Sequence, residues 1–358
     1  MIIVSHHPIK IKRKRAWIGV IWSYSGFVVG WYILHLLYGD RIWWLGLLNA
    51  IAPWLFAPLL LLLPLALLTI SARRYTPLLY GPLLAPIILF LALYGPFFAP
   101  VRTTAHAAND PSLTVLSFNI WAGSRAQATI DVIAANGWPD IVALQELTPP
   151  MAELILAKVG DHYPYHLLDI TPYHYGLGIF SRFPLTMVDS SAFADSALRV
   201  QIATVYPTPA TQQPFTFYNL HLSFGDVLYD LGHGAVVRNK IATGYQTRLD
   251  LTQKLVQDVQ NRAGPVLIAG DFNSTPQSDV YTTMTTYLTD AYRAAGWGFG
   301  FSYPTHAADI RRVSFLPRLF RIDMIFFNEE FSAVRSWTSS VYGESDHLPM
   351  VVRLIWTN

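Results

Sequence analysis

Apolar and polar residues divide the chain into two parts of different rhythm. Ala16 to Tyr38, about Ile42 to Ile70 and about Leu78 to Phe98 carry no charged residue, and short links containing Gly39-Asp40-Arg41 and Ser71-Ala72-Arg73-Arg74 separate them. A helix needs about 20 apolar residues to cross a hydrocarbon layer of about 30 Å, and each run is long enough. Almost nothing polar lies on any face of Leu59 to Leu68, which argues against a helix with one buried stripe. A cleaved secretory leader has an apolar centre of only about 7–15 residues, shorter than the first run. About three transmembrane helices are therefore expected, spanning about 16–38, 42–70 and 78–98, with residues 1–98 as a membrane anchor. Pro53, Pro58 and Pro64 predict a kink or tilt in the second span.

Past Pro111 the rhythm shortens. Leu113 to Phe118, Ile141 to Gln145, Phe215 to Leu220, Val266 to Gly270 and Met350 to Ile355 read as strands, and Gln127 to Ala135, Met151 to Val159 and about Lys240 to Arg262 as helices. Short β-rich runs alternating with helical stretches predict an α/β domain over 113–358, with residues 99–112 as a linker reaching at most roughly 45 Å.

Composition changes this picture through its unevenness. Hydrophobic residues make up 52% of the whole, but the excess sits in the first hundred positions. Residues 1–111 hold nine Lys and Arg against two Asp and Glu, and residues 112–358 hold 16 against 21. Basic residues near span ends mark the cytoplasmic side. Lys10, Lys12, Arg13, Lys14 and Arg15 precede the first span, and Arg73-Arg74 lies two crossings later. Three crossings then place the domain outside the cytoplasm, whereas two would leave it inside. The domain's net charge of −5 disfavours nucleic acid as a partner, because a non-specific nuclease wants a basic groove. The absence of cysteine excludes disulfides, thiolate zinc sites and cysteine nucleophiles.

Several strands end in a side chain able to bind metal or phosphate: Asn119, Glu146, His221, Asp271 with Asn273 beyond it, Asp323, and Asp346-His347 before the last strand. Singly, each suits a cap or a turn. Their recurrence at strand ends, all offering oxygen or imidazole donors, reads as one site.

Ser117-Phe-Asn-Ile, Leu144-Gln-Glu, Asn219-Leu-His-Leu, Gly270-Asp-Phe-Asn-Ser, Arg321-Ile-Asp and Ser345-Asp-His-Leu-Pro stand in an order that resembles the endonuclease/exonuclease/phosphatase superfamily. The resemblance covers about Leu113 to Ile355. It implies a four-layer α/β/β/α sandwich and a hydrolase of phosphoric esters that uses Mg²⁺, with Mn²⁺ suited to the same oxygen donors. It also implies Glu146, with Asn119 and Asp346, as metal ligands, and His347 as a general base oriented by Asp323. Asp271 would position water or protonate the leaving oxygen, and Asn273 and His221 would donate to phosphoryl oxygens. Which carboxylate handles which proton stays open.

Gly178-Ile-Phe-Ser-Arg182 also looks like a family strand, making Arg182 a candidate substrate contact beside Arg321, which belongs to a local basic group with Arg311, Arg312 and Arg318. His221 resembles the sphingomyelinase-like and deoxyribonuclease-like branch. Trp297, Phe299, Phe301 and Tyr303 form an aromatic cluster suited either to a membrane interface or to a site wall. The expected partners are a lipid bilayer and a phosphate-ester substrate. An extracytoplasmic nuclease and an inactive scaffold on the same fold are the alternatives.

Overall fold

A computed structural model describes residues 8–68, 76–99, 111–170, 176–193, 199–207, 213–222, 234–305 and 318–357. Most of the linker, Arg73-Arg74 and Arg311-Arg312 lie outside these residues. The chain divides into two compact units, Met1–Phe98 and Ala99–Asn358.

In the first unit, α1 covers Pro8–Tyr38, α2 Trp43–Ala50, α3 Leu59–Leu68 and α4 Thr76–Tyr94. Among the described residues two segments, Ala16–Tyr38 and Gly81–Phe98, are each long and apolar enough to cross a membrane. The middle run departs from the expected single span: Trp43–Ala50 and Ala52–Ala66 meet at a 72° bend. The cause is local, since Pro53 opens a 3-10 turn over Ala52–Phe56 between the two helices and a proline removes a backbone donor. Asn49 ties this bend to the end of α1. Its Nδ2 donates to Gly39 O at 3.1 Å and to Asp40 Oδ1 at 2.8 Å, while Trp31 Nε1 donates to its Oδ1 at 3.1 Å. Leu36, Leu37, Leu60, Leu61, Ile88 and Leu91 point outward and are exposed, the surface expected of a unit whose surroundings are apolar.

The second unit is a four-layer sandwich. One sheet contains β1 (Ser112–Asn119), β2 (Ile141–Gln145), β3 (Tyr165–Asp169), β4 (Leu177–Ser181), β11 (Phe331–Thr338) and β12 (Met350–Trp356), in the order β11-β12-β1-β2-β4-β3. The other contains β5 (Leu185–Val188), β6 (Arg199–Val205), β7 (Phe215–His221), β8 (Val266–Asp271), β9 (Thr289–Asp290) and β10 (Asp323–Phe327), in the order β5-β6-β7-β8-β10-β9. Each sheet has one parallel pair at its centre, β1 with β2 and β7 with β8.

Alternation decides what each face carries. Leu116, Phe118, Val142 and Leu144 pack in one buried cluster with residues of α5 (Ala126–Ala135) and α6 (Pro149–Val159). Tyr218, Leu220, Val266, Ile268, Met324 and Phe326 pack in another with α7 (Gly234–Gln260) and α8 (Asp279–Thr285). The intervening residues face the other sheet. At one end of this inner layer Phe215 meets Phe331 and Trp356 edge-on, at ring distances of 5.6 and 6.3 Å. At the other end the same faces carry Asn119, Gln145, His221, Asp271 and Asp323, all buried.

Candidate active site

Because β1, β2, β7 and β8 all run in the same sense as their central neighbours, their last residues gather at one end, with β10 antiparallel beside them so that its first residue arrives there too. Asp323 pairs with Asp271 in register, and His221 with Asp271. Three hydrogen bonds lock the sheets together just beneath: Gln145 Nε2 donates to Asn219 Oδ1 at 2.7 Å, and Asn219 Nδ2 donates to Leu144 O and Gly178 O, each at 3.1 Å.

Asn119 is the hub above them. Its Nδ2 donates to Glu146 Oε1 and to Asp271 Oδ2, both at 3.0 Å, and its Oδ1 accepts from Trp121 N at 3.1 Å. Glu146 Oε2 accepts from Ala122 N at 3.2 Å. Glu146, Trp121 and Asn273 hold left-handed backbones at φ 61°, 54° and 46°, a cost of roughly 1–3 kcal/mol each that tends to collect at functional sites. Gly270 precedes Asp271 for a steric reason: a Cβ there would lie 2.0 Å from Leu220 O. Asp271 Oδ1 accepts from Asn273 N at 2.8 Å, and Asn273 Nδ2 reaches Asp271 Oδ2 at 3.1 Å.

His347 and Asp323 form a buried pair, Nδ1 to Oδ2 at 2.9 Å. An ionised carboxylate only accepts, so Nδ1 carries the hydrogen and Nε2 faces the site. Nε2 stands 3.8 Å from Asp271 Oδ2 and 3.9 Å from Asp346 Oδ1. His221 Nε2 stands 3.6 Å from Asp271 Oδ2 and 3.9 Å from Glu146 Oε1. Ser345 fastens the loop carrying His347: its Oγ donates to Asn119 O at 2.6 Å and accepts from His347 N at 3.0 Å.

Electrostatics follow from this crowding. Burial is the main force holding the Asp271 carboxyl above its ordinary range; Asp323 adds to it, and His347 and His221 oppose it. Burial also raises Asp346, with Glu146 and Asp271 adding and His347 opposing. For His347 burial favours the neutral ring, but the charges of Asp323, Asp271 and Asp346 outweigh it and hold the imidazole well above its usual value. A site with an excess of converging carboxylates and amide oxygens suits a hard cation, whose charge would relieve the repulsion. Asp271, Asp323 and His347 place potential ligand atoms within 4.8 Å of one another.

The two arginines expected to meet substrate do not join this cluster. Arg321 is fully buried and grips Asp290 with both Nη atoms, at 3.0 and 2.6 Å. Arg182 reaches Asp140 Oδ1 at 3.4 Å, at the start of β2; Glu146 lies beyond its far end, about 20 Å away at roughly 3.3 Å per residue. Sequence spacing does not show which carboxylate will claim an arginine. Conversely, Arg199 stands beside His221 in register, its Nη1 at 3.3 Å from both carboxylate oxygens of Asp169, and no local pattern announced it. Gln145, Asn219 and Ser345 carried a readable signal: polar residues inside otherwise apolar buried strands, or beside the histidine.

The family model described as endonuclease/exonuclease/phosphatase matches residues 116–347. This chain belongs to the endonuclease/exonuclease/phosphatase family. Family members are divalent-metal-dependent hydrolases of phosphoric esters as a class. Solved structures share the fold. The endonuclease/exonuclease/phosphatase from Bacteroides vulgatus is 19% identical, with a TM-score of 0.53 over 69% of this chain and 100% of the other. A humanized D. rerio TDP2 is 16% identical, at 0.52 over 68% and 98%. D. rerio TDP2 complexed with a single-strand DNA product is 15% identical, at 0.51 over 68% and 99%. No curated protein matches by sequence.

Proposed function

We propose that this family member is a membrane-anchored phosphoesterase that uses Mg²⁺, or Mn²⁺ in its place, to hydrolyse a phosphodiester or phosphomonoester in a lipid headgroup or a small extracytoplasmic molecule. The observation that carries the reading is the buried Asp323–His347 pair aimed at the carboxylate and amide cluster of Asp271, Asn119 and Glu146.

In this reading His347 Nε2 takes a proton from the attacking water while Asp323 holds the Nδ1 hydrogen and stabilises the imidazolium. His221 and Asn273 donate to phosphoryl oxygens as charge builds on them. Asp271, whose carboxyl burial holds above its ordinary range, orients the water or returns a proton to the leaving oxygen. Glu146, Asn119 and Asp346 would hold the cation, which when bound neutralises charge on the phosphoryl group and the leaving oxygen. The 2.9 Å hydrogen bond between His347 and Asp323 favours a proton-handling role for that pair over a ligand role.

The lipid-facing part of the proposal is supported by the two long apolar helices. If the bent pair also crosses, the catalytic unit lies outside; if it folds back, the unit shares the side of the N-terminus. Protease accessibility in sealed cells separates the two. The domain charge of −5, and the capture of Arg182 and Arg321 by aspartates, speak against a nucleic-acid substrate.

The test uses the full chain in detergent, assayed with bis(p-nitrophenyl) phosphate and MgCl₂, then with phospholipids, nucleotides and single- and double-stranded DNA. Hydrolysis that stops on chelation is expected, with lipid or small phosphate esters preferred. Activity untouched by EDTA would end the metal-hydrolase account, and a marked preference for DNA would replace the lipid reading with the nuclease one.

A further inference from the structure

The segment Ser302–Thr305 binds both members of the Asp323–His347 pair. Ser302 Oγ accepts from the amides of Ile322 and Asp323 at 3.2 and 3.3 Å, and Ser302 O accepts from Leu348 N at 2.8 Å. Thr305 N donates to Asp346 O at 2.8 Å and Thr305 Oγ1 to Ser345 O at 2.6 Å. The chain before Asp323 and the loop around His347 are thus tied to one strap of four residues.

Tyr303 sits in the middle of that strap. Its backbone exchanges two hydrogen bonds with Phe320, at 3.0 and 2.8 Å. Its ring lies against His347, with centroids 4.8 Å apart and planes tilted by 46°. This contact supplies something the Asp323 bond does not. The hydrogen bond at Nδ1 and the bond to Cβ hold one edge of the imidazole, but coupled rotation about the two side-chain bonds would still tilt the ring and shift Nε2 at its opposite edge. An aromatic ring packed at this tilt against the imidazole blocks that movement on one side. Burial, with the charges of Asp346, Asp271 and Glu146 adding to it, holds the Tyr303 hydroxyl above its ordinary range.

We infer that Tyr303 is a positioning residue: its ring sets the plane of the His347 imidazole and so the direction of Nε2, and the Ser302–Thr305 strap holds that ring in place. The inference rests on the hydrolase reading above, since it acts through His347.

The full chain is assayed with bis(p-nitrophenyl) phosphate and MgCl₂ as wild type, Tyr303→Phe, Tyr303→Leu, Tyr303→Met and His347→Ala, with thermal unfolding of each. Leu and Met both remove the flat ring at similar volume, so a folded variant lacking the ring is in hand even if one fails to fold. Misplacing a reacting group by about 1 Å can cost on the order of 100-fold in rate. Tyr303→Leu and Tyr303→Met are therefore expected to lose roughly 10- to 100-fold in kcat with KM within about 3-fold, and Tyr303→Phe to recover most of it. A ring-free folded variant with wild-type kcat overturns the inference. So does a loss confined to KM, which would make Tyr303 a substrate wall, or a Phe variant as slow as Leu, which would assign the effect to the hydroxyl. If His347→Ala itself keeps full activity, the hydrolase reading falls and the inference with it; if His347→Ala is inactive and the Tyr303 variants are not, the inference alone falls.

Discussion

Two buried ion pairs lie two residues apart on one strand approach and do opposite work. Arg321 holds Asp290 through two hydrogen bonds, and Asp290 also accepts from Tyr281 Oη at 2.7 Å and Tyr292 N at 2.9 Å. The guanidinium carbon lies 5.5 and 5.6 Å from the ring centroids of Tyr281 and Tyr292. Both Nη atoms and both carboxylate oxygens are engaged, and arginine keeps its proton at any accessible pH. His347 holds Asp323 through a single bond and keeps Nε2 facing other carboxylates. The first pair fixes the fold where β9 meets β10. The second leaves a titratable nitrogen pointed at a site. The difference lies in the cation and in how many of its donors are already used.

Replacing His347 by Ala sharpens the contrast most: kcat toward an aryl phosphodiester is expected to fall about 10²- to 10⁴-fold, the usual worth of a general base, with a far smaller change in unfolding temperature. A modest fall would show that His347 is structural, like Arg321.

Arg321→Met tests the other side. It leaves Asp290 buried without its cation, and removing one partner of a buried pair costs about 3–5 kcal/mol. Denaturant unfolding should show that loss while the folded fraction keeps its chemistry. Stability unchanged by Arg321→Met, together with a large rise in KM, would return Arg321 to the substrate.

Asn219→Ala should cost less, about 1–3 kcal/mol, because it removes the three hydrogen bonds that Asn219 makes between the sheets. Its effect belongs in unfolding free energy, with kcat affected only as the sheets loosen.

Acidification separates the pairs more gently. Burial alone would raise the Asp290 carboxyl, but the charge of Arg321 and its hydrogen bonds outweigh it and hold the group below its ordinary range. Its contribution to stability is therefore complete above the unfolded value of about 3.9 and is lost as pH falls through the lower folded value. In Arg321→Met the sign should invert: the unpaired buried carboxyl has a raised value, and lowering the pH should relieve the variant. Unfolding free energies of both proteins between neutral and acidic pH check this.

Arg182→Ala closes the series. Its pair with Asp140 is partly exposed, and such pairs are worth at most about 1 kcal/mol. Wild-type kcat and KM are expected, and a tenfold rise in KM would contradict the placement of Arg182 at the start of β2, away from Glu146.

Much of this was readable before any fold was known. Short β-rich runs located β1, β2, β7, β8 and β12 almost to the residue, and the polar residues closing the first four nominated Asn119, Glu146, His221 and Asp271. Those features are local, because side-chain alternation and strand termination depend on neighbours a few residues away. The apolar spans were legible for the same reason, yet the 72° bend between Trp43–Ala50 and Ala52–Ala66 was not, since prolines announce a break without giving its angle.

What the chain alone determined was therefore composition by position: three apolar runs in the first hundred residues, an α/β domain, and a set of donors at strand ends in a family order. Only the tertiary structure decided partners. Ser345 reaches Asn119 O across 226 residues, Asn119 reaches Asp271 across 152, and Arg321 finds Asp290 instead of a substrate. Such choices depend on sheet register and on which carboxylate lies nearest once two sheets close on each other. Hydrogen bonding and charge act over a few ångströms in space, and distance along the polypeptide carries no information about that.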